Sequence, residues 1–409
     1  MNLLKTYQIF LIIILLFISF FTFIPSVFFG FSRVDDYIMV FHKSVIKADV
    51  KEAFFEEHEA MYHPLVTLSY AIETKLFGLM PEFFHLDNIF LHCINTILVL
   101  IIFILITKNF SVAYIVALLF AIHPLHTEVV AWISARKDTL YSIFYLFSIY
   151  FYIKSWNNKK EKFYILISFI CFLLSCLSKV MAVTLPALLI LLDFYSNKLN
   201  KQRIKIYLPF ILVTIVFIIS GIHAHFYNDF KYEEYSLFNK FLNAHFYILF
   251  YIVKLFLPIN LYWIYPKLYG VDMPVPLYVM LSPIFLYIII IPILYSLKYS
   301  KKIFFGFSFF IITVSPCLDF FPIGVAAMAD RYVYIPLIGL SYILAEFFVY
   351  IYNKLKNKFK ILLLIIGIII ICLFIYLSFM KTIDWKNNNC DAPVDIEYYT
   401  PKLLFCIQK

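Results

Sequence analysis

The chain has 409 residues, 63% of them hydrophobic and 14% charged, with a net charge of +9 and a mean hydropathy of +0.89. So little polar surface excludes a soluble globular domain, and the long apolar runs point to helices, because in lipid each backbone polar group must be satisfied within its own segment. The basic residues lie in short connectors between apolar runs and are not gathered on one soluble face, which excludes a nucleic-acid-binding protein.

Taken in chain order, stretches that suit a ~30 Å hydrocarbon core fall at 7–29, 84–107, 110–124, 139–154, 163–179, 181–195, 206–222, 277–297, 303–318, 332–352 and 361–380. The first follows Lys5, exceeds a signal-peptide core and lacks a small-residue cleavage site, so it reads as a retained signal anchor. Basic clusters occupy four connectors: Lys154, Lys159, Lys160 and Lys162; Lys198, Lys201, Arg203 and Lys205; Lys298, Lys301 and Lys302; Lys354, Lys356, Lys358 and Lys360. With the amino terminus inside, all four face the cytoplasm, provided 245–257 lies in the interface. That segment carries Lys254 in its middle and ends at Leu257-Pro258. The expected architecture is an all-α polytopic membrane protein of about eleven transmembrane helices with outer-face interfacial helices. Residues 1–380 form one integral domain, and 381–409 form a short extracytoplasmic tail. Of the seven cysteines, Cys93, Cys171, Cys176, Cys317 and Cys372 sit in apolar runs, while Cys390 and Cys406 in the tail are free to pair in an oxidising compartment.

The outer loop 31–83 is acidic, with Asp35, Asp36, Asp49, Glu52, Glu56, Glu57, Glu59, Glu73 and Glu82 against Arg33, Lys43, Lys47, Lys51 and Lys75. Within it, 64–78 has apolar residues at helical spacing and reads as an interfacial helix. Carboxylates this close to a bilayer are costly unless they pair or act. Asp35 and Asp36 therefore suit a general base and a neighbour that orients it or shares a cation; the plainer alternative is a solvated acidic turn or a helix cap.

His123-Pro124-Leu125-His126-Thr127-Glu128 offers two imidazoles and a carboxylate, types that bind divalent ions. Their spacing, with Pro124 intervening, is not that of a zinc motif, and hydrogen bonding that holds a turn while Glu128 faces a cavity is the simpler use. Arg136 and Lys137 suit a lipid phosphate, by a bidentate fork and a point charge respectively, or snorkelling to headgroups. Lys179, at the outer end of a hairpin, is either anion-paired or snorkelling. Ala329-Asp330-Arg331-Tyr332 combines an ion pair with a stacking surface, or belongs to an interfacial aromatic belt. No G-x-x-x-x-G-K-S/T loop and no G-x-S-x-G elbow occurs, which removes a phosphate cradle and a serine hydrolase. No matched pair of broken spans points to a secondary transporter.

Several stretches in order resemble a known family. They are His63-Pro64-Leu65-Val66-Thr67-Leu68-Ser69, Phe84-His85-Leu86-Asp87-Asn88, His123 to Glu128, Ala135-Arg136-Lys137-Asp138, Ser178-Lys179-Val180-Met181-Ala182-Val183-Thr184-Leu185-Pro186, Leu257-Pro258-Ile259-Asn260-Leu261 and Ala329 to Pro336. Together they are similar to the membrane domain of the transmembrane and tetratricopeptide-repeat family, which resembles the protein O-mannosyltransferases and shares the type C glycosyltransferase (GT-C) fold. The resemblance implies a glycosyltransferase that moves a sugar from a polyprenyl-phosphate donor to a hydroxyl of a protein, lipid or glycan, with inversion, on the extracytoplasmic face. It makes Asp35, with Asp36, the acid that activates the acceptor, and Glu128 the second acid of the site. Charge and face add Arg136, Lys137, Lys179 and Arg331 as cations for the donor phosphate, with His63, His123, His126, Asp330 and Tyr332 in support. A divalent cation is an open alternative, no other cofactor is called for, and membrane lipid is the remaining partner. The competing reading is a non-enzymatic lipid-linked glycan transporter or assembly protein of the same fold. Family members run from a Trp-containing segment, here Ile383-Asp384-Trp385, into repeats; the tail here shows none, and with the compact loops this favours a bacterial inner membrane over the endoplasmic reticulum.

Overall fold

A computed structural model describes residues 5–32, 35–55, 63–156, 158–227, 235–320 and 326–387. Arg33, Glu56, Glu57, Glu59, Cys390, Cys406 and the tail beyond 387 lie outside the described residues. Among the described residues the longer elements are thirteen α-helices: α1 (Thr6–Phe23), α2 (Pro64–Phe77), α3 (Pro81–Thr107), α4 (Phe110–Ile122), α5 (Arg136–Ser155), α6 (Glu161–Ser178), α7 (Leu185–Tyr195), α8 (Lys201–Tyr227), α9 (Leu237–Phe256), α10 (Ser282–Ser296), α11 (Lys302–Val314), α12 (Leu337–Lys354) and α13 (Asn357–Asn387).

Each of the eleven stretches expected to span coincides with a helix. Six helices are long and apolar enough to cross a membrane alone, and a seventh span arises if α4 and its bent continuation Pro124–Ala131 count together. The other four, α5, α7, α11 and α12, are shorter or more polar. Much of their surface meets protein, the second half of α12 with Phe347 and Tyr350 excepted, so uniform apolarity is not required of them. Ser148 donates to the Ser168 carbonyl at 2.7 Å, Ser168 returns a bond to the Ser148 carbonyl at 2.8 Å, and Ser175 donates to the Tyr141 carbonyl at 2.8 Å, stitching α5 to α6. Small hydroxyl residues let two membrane helices approach closely and satisfy their own polar atoms across the seam. Gly306 and Gly339 do the same for α11 and α12: a Cβ on Gly306 would meet the Gly339 carbonyl oxygen at 2.6 Å, and one on Gly339 would strike that of Gly306. By contrast α1, α8, α10 and α13 turn large apolar side chains outward, among them Phe10, Phe17, Leu212, Val216, Ile288 and Ile369, a surface that suits lipid.

Two boundaries differ from expectation. The α9 helix begins at Leu237 rather than near 245, capped by Ser236, whose hydroxyl accepts the Asn239 N–H at 3.1 Å; its early turns carry Asn239, Lys240, Asn243 and His245, which disguise a helix as a loop. The α13 helix continues past 380 to Asn387, because no Gly or Pro lies between 381 and 387 and Lys381 anchors it to the Leu261 carbonyl at 2.6 Å.

The bundle has two unlike ends. At one, the basic connectors meet: Lys301 donates to the Phe194 carbonyl at 2.7 Å and to Asn197 at 2.6 Å, and Arg203 pairs with Asp193 at 2.6 Å. At the other, the turn after α1, the start of α3, the Pro124–Ala135 segment, the end of α6, the start of α12 and the end of α13 converge. The α9 helix runs along this second end, since Asn243 reaches Asp319 at 3.2 Å, Tyr251 donates to the Ala329 carbonyl at 3.1 Å, and the Leu255 carbonyl takes a bond from His123 at 3.1 Å.

Candidate active site

The site is built on the turn that launches α5. After the short helix Thr127–Ala131 the backbone extends at Trp132 and winds through one 3-10 turn, Ile133–Ala135. Side chains from three elements pin it. Asn88 donates to the Trp132 carbonyl at 2.9 Å and Tyr70 to the Ile133 carbonyl at 2.8 Å. Asp36 accepts the Ser134 N–H at 2.9 Å and the Ser134 hydroxyl on one oxygen, and the Ser32 N–H at 2.7 Å on the other.

Successive helical residues diverge by about 100°, so the first turn of α5 sends three charged side chains to three places. Arg136, with no exposed surface, pairs with Glu73 at 2.5 Å and Asp87 at 3.4 Å. It also donates to Asn88 at 3.1 Å and the Phe84 carbonyl at 2.9 Å. Lys137 points to Asp35, 3.8 Å away, and Asp138 meets Lys179 at 2.5 Å. Beyond Trp132, Glu128 accepts the Arg331 guanidinium at 2.5 Å and its backbone N–H at 3.0 Å, while the same guanidinium nitrogen donates to the Trp263 carbonyl at 2.7 Å. The Trp132 ring joins the halves, with the Lys137 ammonium 5.8 Å and the Arg331 guanidinium 5.6 Å from its centroid, and the Trp385 ring 5.7 Å away. Asp35, Lys137, Trp132, Arg331 and Glu128 thus form one contiguous group, with Lys179 and Asp138 close enough for their charges to act on Lys137.

Two residues assigned to the chemistry from sequence, Arg136 and Asp36, are placed otherwise, and a third, Glu128, stands within the group with its carboxylate occupied. Arg136 turns away from this group, and each nitrogen of its guanidinium already has a partner among Glu73, Asp87, Asn88 and the Phe84 carbonyl. Asp36 is wholly buried, and both its oxygens hold backbone turns. Both oxygens of Glu128 are likewise engaged, by Arg331. Asp35 differs: its side chain is 33% exposed, and among the described residues its carboxylate accepts no hydrogen bond.

The supporting residues are structural. His123 donates from Nε2 to the Leu255 carbonyl and accepts the Leu125 N–H on Nδ1 at 3.2 Å. His126 bonds the Phe120 carbonyl at 2.7 Å. Tyr265 donates to Asp330 at 2.6 Å, Tyr332 to the Ala326 carbonyl at 3.0 Å, and His63 is buried at the start of α2. Among the described residues no three His, Cys, Asp or Glu side chains are grouped as a metal site.

Sequence reasoning missed Trp132, Asp138 and Trp263. Among the described residues, both indole N–H groups and one Asp138 oxygen are buried without a hydrogen-bond partner. For Asp138 a signal was present, since it closes a run of three charges at the edge of an apolar span.

Burial raises Asp36 from the ordinary 3.8 to about 6, against the hydrogen bonds from Ser134 and Ser32, which pull it down. The folded state therefore keeps a proton that the unfolded chain has lost between pH 4 and 6, and stability from this group rises as pH falls through that window. Wild type should gain melting temperature relative to Asp36→Asn between pH 7 and 5 in a detergent thermal-shift series; a constant gap would refute the assignment.

Among curated proteins the chain is similar to protein O-mannosyl-transferase TMTC1 of Homo sapiens, 32% identical over 155 residues that make up 34% of this chain and 17% of the relative. It is 33% identical to TMTC2 of Homo sapiens over 152 residues, 36% of this chain and 18% of that one. The Caenorhabditis elegans protein O-mannosyl-transferase F38B6.6 matches at 25% identity over 373 residues, 84% of this chain and 51% of the relative. Over these stretches the chain is similar to the TMTC protein O-mannosyl-transferases. It spans at most about half the length of these TMTC relatives, all three of which are eukaryotic. No family model and no solved structure matches.

Proposed function

We propose that the chain is a membrane glycosyltransferase that moves a sugar, mannose by the names of its relatives, from a polyprenyl-phosphate donor to a hydroxyl acceptor on the extracytoplasmic face. The observation that carries this reading is the open carboxylate of Asp35 beside Lys137, at the end of the bundle where Arg331 and Lys179 gather. Lys-rich connectors gathered at the opposite end favour a cytoplasmic position for that end, and hence an extracytoplasmic one for the site. An apolar groove of about 640 Å³ between α9 and α10, lined by Phe246, Phe250, Val253, Leu277 and Phe285, suits an isoprenoid chain. Phe250 packs on Tyr265 at 4.8 Å, and Tyr265 bonds Asp330, so the groove abuts the site end.

In this reaction Asp35 takes the proton from the acceptor hydroxyl as its oxygen bonds to the anomeric carbon. The bond from that carbon to the phosphate oxygen breaks, and its electron pair leaves with the phosphate. Lys137, with Arg331 behind it, stabilises the charge developing there; such fixed cations act most strongly where water is excluded. Asp36 and Arg136 are positioning residues, holding the turns that carry Asp35 and Lys137.

The test is transfer by the purified chain in proteoliposomes supplied with radiolabelled polyprenyl-phosphate mannose and, in separate arms, Ser/Thr peptides, lipid or glycan acceptors. Label is expected to move to one acceptor class. An intact donor in every arm would overturn the proposal and favour a transporter or assembly role.

A further inference from the structure

Trp132 is the largest fully buried side chain of the site, 2% exposed, yet its indole N–H has no hydrogen-bond partner among the described residues. Indole is a donor only, so what is missing is an acceptor. The same ring carries two cations near its centroid, Lys137 at 5.8 Å and Arg331 at 5.6 Å. The Lys137 ammonium also lacks a hydrogen bond among the described residues, its nearest carboxylate being Asp35 at 3.8 Å. A buried water could fill one vacancy, but it needs two to four partners and brings no negative charge to Lys137, whose carboxylate neighbour stands 3.8 Å off. An anionic oxygen meets both demands together, with Arg331, already paired to Glu128, adding positive potential nearby.

We propose that Trp132 binds the donor headgroup, its indole N–H donating to a phosphate oxygen held between Lys137 and Arg331. The claim rests on the polyprenyl-phosphate reading above and assigns it a residue. It gives the Trp132 ring two uses: its face holds the two cations together before the donor arrives, and its edge fixes the phosphate once it does. Trp132 is then a binding residue for donor, with no part in proton transfer.

The chain has four tryptophans, so ¹⁵N-indole labelling of the full chain in zwitterionic nanodiscs gives four cross-peaks, and Trp132→Phe identifies one. Should that variant not fold, Trp156→Phe, Trp263→Phe and Trp385→Phe identify the same peak by elimination. Farnesyl phosphate and inorganic phosphate are titrated in separate arms, with binding followed independently by native mass spectrometry. Farnesyl phosphate is expected to move the Trp132 peak downfield. The Trp156 peak, at the far end of α5 about 30 Å along the helix, should stay in place. Trp132→Phe should weaken farnesyl phosphate binding about tenfold to a hundredfold, the loss typical of a hydrogen bond to a charged group. Movement with inorganic phosphate as well would support a phosphate oxygen as the acceptor without need of the tail. Farnesyl phosphate bound with the Trp132 peak unmoved would overturn this proposal and leave the donor reading standing. No binding at all would overturn both.

Discussion

Asp35→Asn should lower sugar transfer by about 10²–10⁴-fold, the range general acid–base groups supply, without loss of folded protein. The amide keeps the size of the carboxylate but cannot accept the acceptor's proton. Because the side chain is part exposed and holds no hydrogen bond among the described residues, little structure depends on it. In the proteoliposome assay, retention of more than a tenth of wild-type transfer, at an unchanged melting temperature, would remove Asp35 from the chemistry. Asp36→Asn supplies the contrast: it disturbs Ser32 and Ser134, so its cost should fall on stability as well as rate.

The largest loss of stability is expected from Arg136→Met. The guanidinium has no exposed surface and holds Glu73, which is itself only 7% exposed. Removing one partner of such a pair strands the other in a dry environment and costs about 3–5 kcal/mol. The Arg136→Met, Glu73→Leu double variant should recover most of that loss, because an apolar pair of similar bulk needs no counter-charge. Thermal unfolding followed by size-exclusion in detergent separates the cases. A double variant no better than the single would mean that packing of Arg136 on Tyr70, 4.6 Å away, matters more than the charge.

The helical membrane class was legible because apolar runs of 15 to 25 residues have few other uses. The number of spans was less so: α5 and the first half of α12 are shielded by neighbours and need not look like lipid-facing helices. The site divides in the same way. Asp35, Lys137, Lys179 and Arg331 stood out as charges where charge is costly, whatever their neighbours. Their pairing was invisible, since Glu73 and Arg136 are 63 positions apart and Glu128 and Arg331 are 203 apart, and only folding decides which cation is consumed internally. Arg136 and Lys137 looked interchangeable as neighbours, yet the helical rotation between them sends one into the scaffold and the other into the group around Trp132. Trp132 escaped notice because a single indole in an apolar chain resembles the aromatic belt of any membrane protein.

A helix of 31 residues measures about 46 Å, some 16 Å more than the hydrocarbon it crosses. The final turns of α13 therefore stand above the lipid like a mast, and Trp385 is the fitting at its top that touches Trp132. Lifting or twisting that mast by a single residue would carry the Trp385 ring off its neighbour and draw Lys381 from the Leu261 carbonyl one turn below.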